Sequence, residues 1–267
     1  MSVLCLAILL VNVEPTEQVD GDASGELVTS DEAVAEAGPL PHPLTRAETI
    51  VVERTNTLRE REELPPTERS ESLDRTAQWF AEFMARTGQY GHEADGRTAA
   101  ERIESSTYEA CSSGENIAYV YRGPRKMSQP SIGKHFYNAW QKSPAHRANM
   151  LTGSFTETGV GIARSERGTY FAVQLFGRPK SQTVVVEVMN RTGRELSVVA
   201  KVGDRERGGS LPHRSSRVMA FCESFELTIG DRDPVRVSES TRFVATLEND
   251  QLTIEESGQP HEVTFDE

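Results

Sequence analysis

The sequence predicts a three-layer α/β/α sandwich over residues 45–180, followed by a small all-β domain of sandwich type over residues 181–267. Three observations carry that expectation. Apolar residues recur at helical spacing through the first half of the chain. Two adjacent runs, ETGVGIARS and TYFAVQLFG, then read as strands. The second is apolar on both faces, as a strand covered by helices on two sides should be. After residue 183 the helical period disappears, and short alternating runs recur between turn residues.

Residues 45–62 read as a helix, with Thr45 as cap, Glu48 three residues later, and Ile50, Val51 and Leu58 inward. After the break ELPPTERSES comes a clearer helix, SLDRTAQWFAEFMARTG. Ser72 reads as its N-cap, Leu73, Ala77, Phe80 and Met84 as its buried stripe, and Gly88 as its stop. Trp79, beside that stripe, reads as a core aromatic. Asp95-Gly96 marks a turn, and Thr98 with Glu101 forms a capping box for a short helix. CSSGENIAYVY reads as a tight turn leading into apolar residues. Residues 129–141 form another amphipathic helix, with Ile132, Phe136, Ala139 and Trp140 inward. Ser143 then caps a fresh helix with Pro144 at its first position, where a missing N–H costs nothing. Beyond GRPKSQ, the runs VVVEV, ELSVVAKV, RVMAF, SFELTI, VRV, FVATL and LTIEE read as strands, with no cluster of His, Cys or acids among them that forms a site.

The ends and the composition bound the function. Residues 3–13 are apolar apart from Asn12, too short a run to span a bilayer comfortably, and no Lys or Arg precedes them. Residues 1–13 are read as an export signal or membrane-proximal anchor, and residues 14–44 as a mobile acidic linker. A net charge of -12 argues against nucleic acid, since phosphate binding needs a basic field. Of 29 basic residues, 24 are Arg and 5 Lys. Acidic excess with little Lys suits solubility in high salt, and equally an ordinary acidic surface. The three cysteines, Cys5, Cys111 and Cys222, include no CxxC pair, which speaks against a structural zinc site. Cys111 and Cys222 are read as buried free thiols, with a disulfide between them as the alternative.

Three polar residues stand at motif-like places: His92 in YGHEADGRT, Glu115 in GENIA and His146 in SPAHRANM. Each alone is weak. In the order H…DGR…GENIA…W..S..HR.NML…FTE.GVGIA…YFAVQLFG, they make the segment from about residue 45 to 178 resemble the CAP superfamily, nearest to its prokaryotic secreted branch. That group takes in cysteine-rich secretory proteins, venom antigens and plant pathogenesis-related proteins. The resemblance implies an α/β/α sandwich with a large open cleft faced by two His and two acids. His92 and His146 match the family's two His, and Glu115 matches one acid. The second acid does not carry over: three residues after the motif Trp140, eukaryotic members have Glu, and Ser143 stands here. Glu157 is nearby in sequence, with nothing to show that it replaces the lost acid.

The residues themselves add one constraint. As third residue of its helix, His146 would feel the positive end of the dipole, which disfavours imidazolium and leaves a neutral ring able to take a proton or a metal. Three readings follow. The first is a secreted or cell-surface module that binds a lipid, a small apolar molecule or a partner protein in a cleft lined by His92, Glu115, His146 and Ser143. The second is a metal-assisted hydrolase or peptidase, with a divalent ion such as zinc on His92 and His146 and Glu115 as ligand or base. The third is a structural envelope component. No GxSxG elbow supports a serine nucleophile. The cluster can equally be a hydrogen-bonded knot under the cleft floor.

Overall fold

A computed structural model describes residues 44–261. The expected signal or anchor (1–13), Cys5 and all but Leu44 of the expected linker (14–44) lie outside them. The chain divides into two compact units, one ending at Pro179 and one beginning at Lys180.

The first unit is α/β. Helix α1 (Thr45–Arg61) is followed by a two-residue strand β1 (Glu68–Arg69), helices α2 (Glu71–Thr87) and α3 (Ala99–Glu104), and strand β2 (Ala110–Tyr121). Helices α4 (Gln129–Lys142) and α5 (Pro144–Met150) precede strands β3 (Glu157–Arg164) and β4 (Thr169–Pro179). The sheet order is β1-β3-β4-β2, antiparallel except for the parallel β1–β3 pair.

Side-chain alternation along β4 explains its apolar composition. Tyr170, Ala172 and Phe176 join a core with Val51, Ile132, Phe136, Trp140 and Met150, from α1, α4 and α5. Phe171, Val173 and Leu175 join a second core with Leu73, Ala77, Phe80, Met84 and Ile103, from α2 and α3. Successive residues of a strand point to opposite faces, so both faces of β4 are covered by helices.

Several local readings are corrected. Thr45 is the first residue of α1, and Leu44 holds its N-cap position without a side-chain bond. Glu48 is drawn inward to Arg69, 3.2 Å away, and completes no capping box. Ser70, not Ser72, precedes α2. The stretch CSSGENIAYVY is no turn: it lies within β2, paired to β4 along its length. Trp79 is 43% exposed, with the Arg97 guanidinium 4.9 Å from its ring and Phe83 stacked beside it. A guanidinium from a distant loop makes that surface position tolerable for an indole. The Thr98–Glu101 capping box forms as expected, and Gly88 ends α2 in a left-handed conformation (φ 75°).

Gly159 and Gly161 let α2 lie directly on β3. A Cβ on either would run into α2 backbone, at Leu73–Asp74 and at Ala77–Gln78 respectively. The outer edge of β3 is met first by β1 and then by side chains of α2. Its neighbour β1 supplies Glu68 N–H to Thr156 O, and Ser70 N–H donates to Thr158 O. Farther on, Val160 N–H donates to Asp74 Oδ1 at 2.8 Å and Ile162 N–H to Gln78 Oε1 at 3.0 Å, both side chains reaching from α2.

The second unit is all-β. A short 3-10 turn (Lys180–Gln182) leads to β5 (Val184–Asn190), β6 (Leu196–Val202), β7 (Arg205–Leu211) and β8 (Ser216–Phe221). Then come β9 (Phe225–Ile229), β10 (Val235–Val237), β11 (Thr241–Glu248) and β12 (Gln251–Glu256). They form two four-stranded sheets, β10-β9-β6-β7 and β12-β11-β5-β8. Inward residues of both sheets, among them Val186, Val188, Val198, Leu227 and Ala245, share one core. Strand β7, RERGGSL, escapes the sequence reading because it is a mostly exposed edge strand and carries no apolar alternation. Cys111 and Cys222 are both disulfide-bonded, which corrects the reading as free thiols.

Candidate functional site

Strand β2 carries Glu115 into the interior, with its side chain only 2% exposed. Both carboxylate oxygens are engaged. Oε1 meets His92 Nδ1 at 2.7 Å, and Oε2 accepts from Arg102 Nη2 at 2.7 Å. Because an ionised carboxylate only accepts, it is Nδ1 of His92 that donates to Glu115, which leaves Nε2 as the ring's other nitrogen. His92 stays 42% exposed on its side chain, so Glu115 orients a ring that solvent can still reach.

Arg102 organises the site. It projects from α3, whose start the Thr98–Glu101 box fixes, and its side chain is 1% exposed. Besides Glu115 it donates to Asp95 Oδ1 at 2.7 Å and to the backbone carbonyls of Arg97 and His92 at 2.6 and 2.7 Å. Its guanidinium lies 3.5 Å from the Phe80 ring centroid. One buried cation thus ties the 92–97 loop to β2 and to the α2 core. Sequence reasoning missed Arg102. On a six-residue helix next to Ile103 it carries no motif, and only its adjacency to a buried apolar position hints that it turns inward.

His146 is the third residue of α5, as the Ser143-Pro144 start predicts. Its backbone carbonyl accepts from Asn116 Nδ2 at 3.1 Å. Asn149, one turn on, donates to Glu115 O and Asn116 Oδ1 at 3.1 and 2.9 Å. These two amides clamp α5 to β2, and both were in plain view as letters of GENIA and HRANML. Burial first, and then the charge of His92, push the His146 imidazole down to about 4. The neutral ring is the expected one, but desolvation and a second His cause it rather than the helix dipole.

Because folding lowers this pKa, the unfolded chain takes up a proton that the folded chain refuses. Stability from His146 is therefore complete above pH 6.5, the ordinary value, is lost as pH falls from 6.5 to about 4, and is level below. His146→Asn should flatten the urea midpoint across that window. An unchanged slope would mean that His146 does not titrate as its surroundings imply.

Ser143 lies between α4 and α5 in extended conformation, half-buried, and its side chain makes no capping bond. Among the described residues, no hydrogen bond or ion pair joins that side chain to His92, Glu115 or His146. Glu157 does not stand in for the missing acid. It acts on Tyr108, whose phenol burial, and then this carboxylate, push up. Nor does the set fit a three-ligand metal centre. Glu115 could turn to a metal only by abandoning His92 or the buried Arg102, and among the described residues no group of three or more His, Cys, Asp or Glu is placed to hold an ion.

Beside the polar cluster lies aromatic surface. Tyr90 and Tyr119 meet edge to face at 4.7 Å and adjoin Phe171, and the two tyrosines are 42% and 38% exposed. Burial first, then Tyr119 and Glu115, push the Tyr90 phenol up, so it stays neutral beside the carboxylate. Tyr119 sits four residues after Glu115 on β2, hence on the same face.

The second unit contains a cluster that the sequence did not reveal. Buried Glu187 accepts from Arg242 Nε at 2.9 Å and from His261 N–H at 3.0 Å, with His261 Nδ1 2.9 Å away. Burial alone would raise this carboxyl; the bonds from His261 and Arg242 outweigh it and hold it below the usual range. Every oxygen is occupied, so the cluster reads as a clamp.

A family model, CAP (cysteine-rich secretory protein family), matches residues 52–176. The uncharacterized protein YkwD of Bacillus subtilis is 26% identical over 172 residues, which cover 62% of this chain and 63% of that relative's length. Among solved structures, an outer surface protein of Borrelia burgdorferi is similar, at 20% identity and a TM-score of 0.42, over 49% of this chain and 92% of that one. An extracellular protein containing a SCP domain from Bacillus anthracis is similar at 22% identity and a TM-score of 0.41, over 53% of this chain and 45% of that one.

Proposed function

The chain carries a domain of the CAP family at residues 52–176, and on that premise we propose that it is a secreted or cell-surface binding module. The helix-covered faces of β4 support reading the domain as a three-layer α/β/α sandwich. Its ligand is a lipid or other apolar molecule, held where the His92–Glu115 pair meets the Tyr90–Tyr119 surface. One observation carries this: Glu115, the acid a hydrolytic reading needs as a base or ligand, is locked at both oxygens and serves to orient His92. A binding site needs apolar surface with a few fixed polar groups, and that combination is present.

A fluorescent fatty acid titrated into the full chain should bind saturably. Tyr119→Ala and His92→Ala should each weaken binding by about tenfold, the effect of losing one good contact. If both variants bind as wild type does, the site is elsewhere.

A second reading keeps a divalent ion on His92 and His146 alone. It is favoured by one fact, that the charge of His92 acts on His146. Such a two-nitrogen site would be weak and would lose the His146 nitrogen as that ring protonates near pH 4. Zinc calorimetry on wild type and His92→Ala separates the readings: loss of heat in the variant supports the metal, and equal heats remove it.

A further inference from the structure

The acids of the chain are unevenly placed. Residues 116–156 hold none of its 41 Asp and Glu but six of its 29 Lys and Arg, so this stretch is cationic in a chain of net charge -12. Three of the six, Arg122, Arg125 and Lys126, are exposed in the loop between β2 and α4. The β3–β4 turn brings Arg164 and Arg167 beside that loop. Arg122 N–H donates to Gly168 O at 3.0 Å, and Arg164 Nη2 donates to Gly123 O at 2.8 Å. Gly168 lies so close that a Cβ on it would run into the Gly123 carbonyl. At the other end of the loop, Met127 N–H donates to the Tyr170 hydroxyl at 3.1 Å. Burial first, and then the charge of Arg122, push the His135 imidazole down, so the field of the loop reaches α4, where Lys134 is exposed.

Elsewhere in this unit Arg69, Arg75, Arg97, Arg102 and Arg147 each meet a carboxylate. Among the described residues, none of Arg122, Arg125, Lys126, Lys134, Arg164 and Arg167 is in an ion pair. Glu166 shares the β3–β4 turn and pairs with none of them. Like charges gathered without a counter-charge repel one another, and an anionic partner relieves them. A second observation says what kind of anion. Tyr121, next to Arg122, is 55% exposed, the most exposed large apolar side chain among the described residues. Pro124 is exposed and Met127 half-buried in the same loop. A polar-tipped aromatic among long basic side chains suits the boundary of water and lipid: the ring enters the interface while Arg and Lys reach the phosphates. A dissolved polyanion needs the cations but not the ring.

We infer that the Tyr121–Lys126 loop, with Arg164 and Arg167 beside it, docks this domain on a surface of anionic phospholipid. The surface is separate from the His92–Glu115–His146 cluster, and vesicle binding tests it whether or not that cluster takes a fatty acid.

The full chain would be floated with vesicles of phosphatidylcholine alone and of phosphatidylcholine with about 30% phosphatidylglycerol, a strongly anionic surface. Binding should require phosphatidylglycerol and should fall as salt rises to about 0.5 M, because exposed charges are then screened. Each Arg or Lys near an anionic membrane strengthens partition by about fivefold, so replacing three together (Arg122→Gln, Arg125→Gln and Lys126→Gln) should weaken it by about a hundredfold. Tyr121→Ser should weaken it by about fivefold through lost apolar contact. Lys142→Gln, at the other end of α4, should bind as wild type. Residues 3–13 are the same in all these chains, so differences between them report the loop. The three replaced side chains hold one weak bond, Arg122 Nη1 to Tyr121 O at 3.4 Å, and an unchanged urea midpoint verifies that the triple variant is folded. Equal binding to neutral vesicles, unchanged binding of the triple variant, or an equal loss in Lys142→Gln would each overturn the inference. So would binding of polyphosphate in solution together with unchanged vesicle binding in Tyr121→Ser, because the loop would then recognise a polyanion rather than a membrane.

Discussion

Arg102→Met should destabilise the first unit by about 3–5 kcal/mol, the usual consequence of removing one partner from a buried ion pair. Glu115 and Asp95 would lose their shared cation while remaining 2% and 3% exposed on their side chains, and two backbone carbonyls would lose their donor. Methionine preserves much of the packing on Phe80, so the loss is electrostatic rather than a cavity. Glu115→Gln should cost less, about 1–3 kcal/mol, because an amide can still accept from Arg102 while a bond to His92 is weakened. Urea unfolding of both variants at pH 7 provides the measurement. If Arg102→Met costs under about 1 kcal/mol, within the range of an exposed pair, the network does not hold the loop.

Gly161→Ala should be nearly as damaging, at about 3 kcal/mol, the upper end of the ordinary range for overpacking. The added carbon would meet backbone atoms of Ala77 and Gln78, which no rotamer change can move aside. Helix α2 would have to lift from β3, opening the core that holds Leu73, Phe80 and Met84. Gly153→Ala is the control: its nearest neighbour would be a Leu64 methyl at 3.6 Å, an ordinary contact. Its urea midpoint should match wild type, and an equal loss in both variants would mean that close approach is not what Gly161 provides.

How much of this was legible depended on the distance over which each residue acts. The Thr98–Glu101 box and the Gly88 stop are set within one helical turn, and both were readable. The strands around Gly159 and Tyr170 were readable because a doubly covered strand has a composition of its own. Trp79 was misread because its partner, Arg97, comes from a loop eighteen residues on, and periodicity carries no information about that. Arg102 was invisible for the same reason: its partners at 92, 95, 97 and 115 are assembled only by folding. His92, Glu115 and His146 were legible through resemblance alone. Resemblance did not disclose that Glu115 is locked, and that fact turns the reading toward binding. Ser143 was singled out for standing where an acid was missing, and its side chain joins none of the three.

The outer margin of β3 has a consequence for the protein at high concentration. A sheet border usually offers a ladder of open amides and carbonyls on which another molecule's strand can grow. Here the two residues of β1 occupy the first rungs, and Asp74 and Gln78 occupy those at Val160 and Ile162. Those two side chains act as half of a counterfeit strand: they accept the N–H groups that a neighbour's carbonyls would take, but present no template to copy. An apolar, glycine-bearing segment such as TGVGIA would otherwise be a ready seed for fibrils, and it is disarmed by an acid and an amide borrowed from a helix.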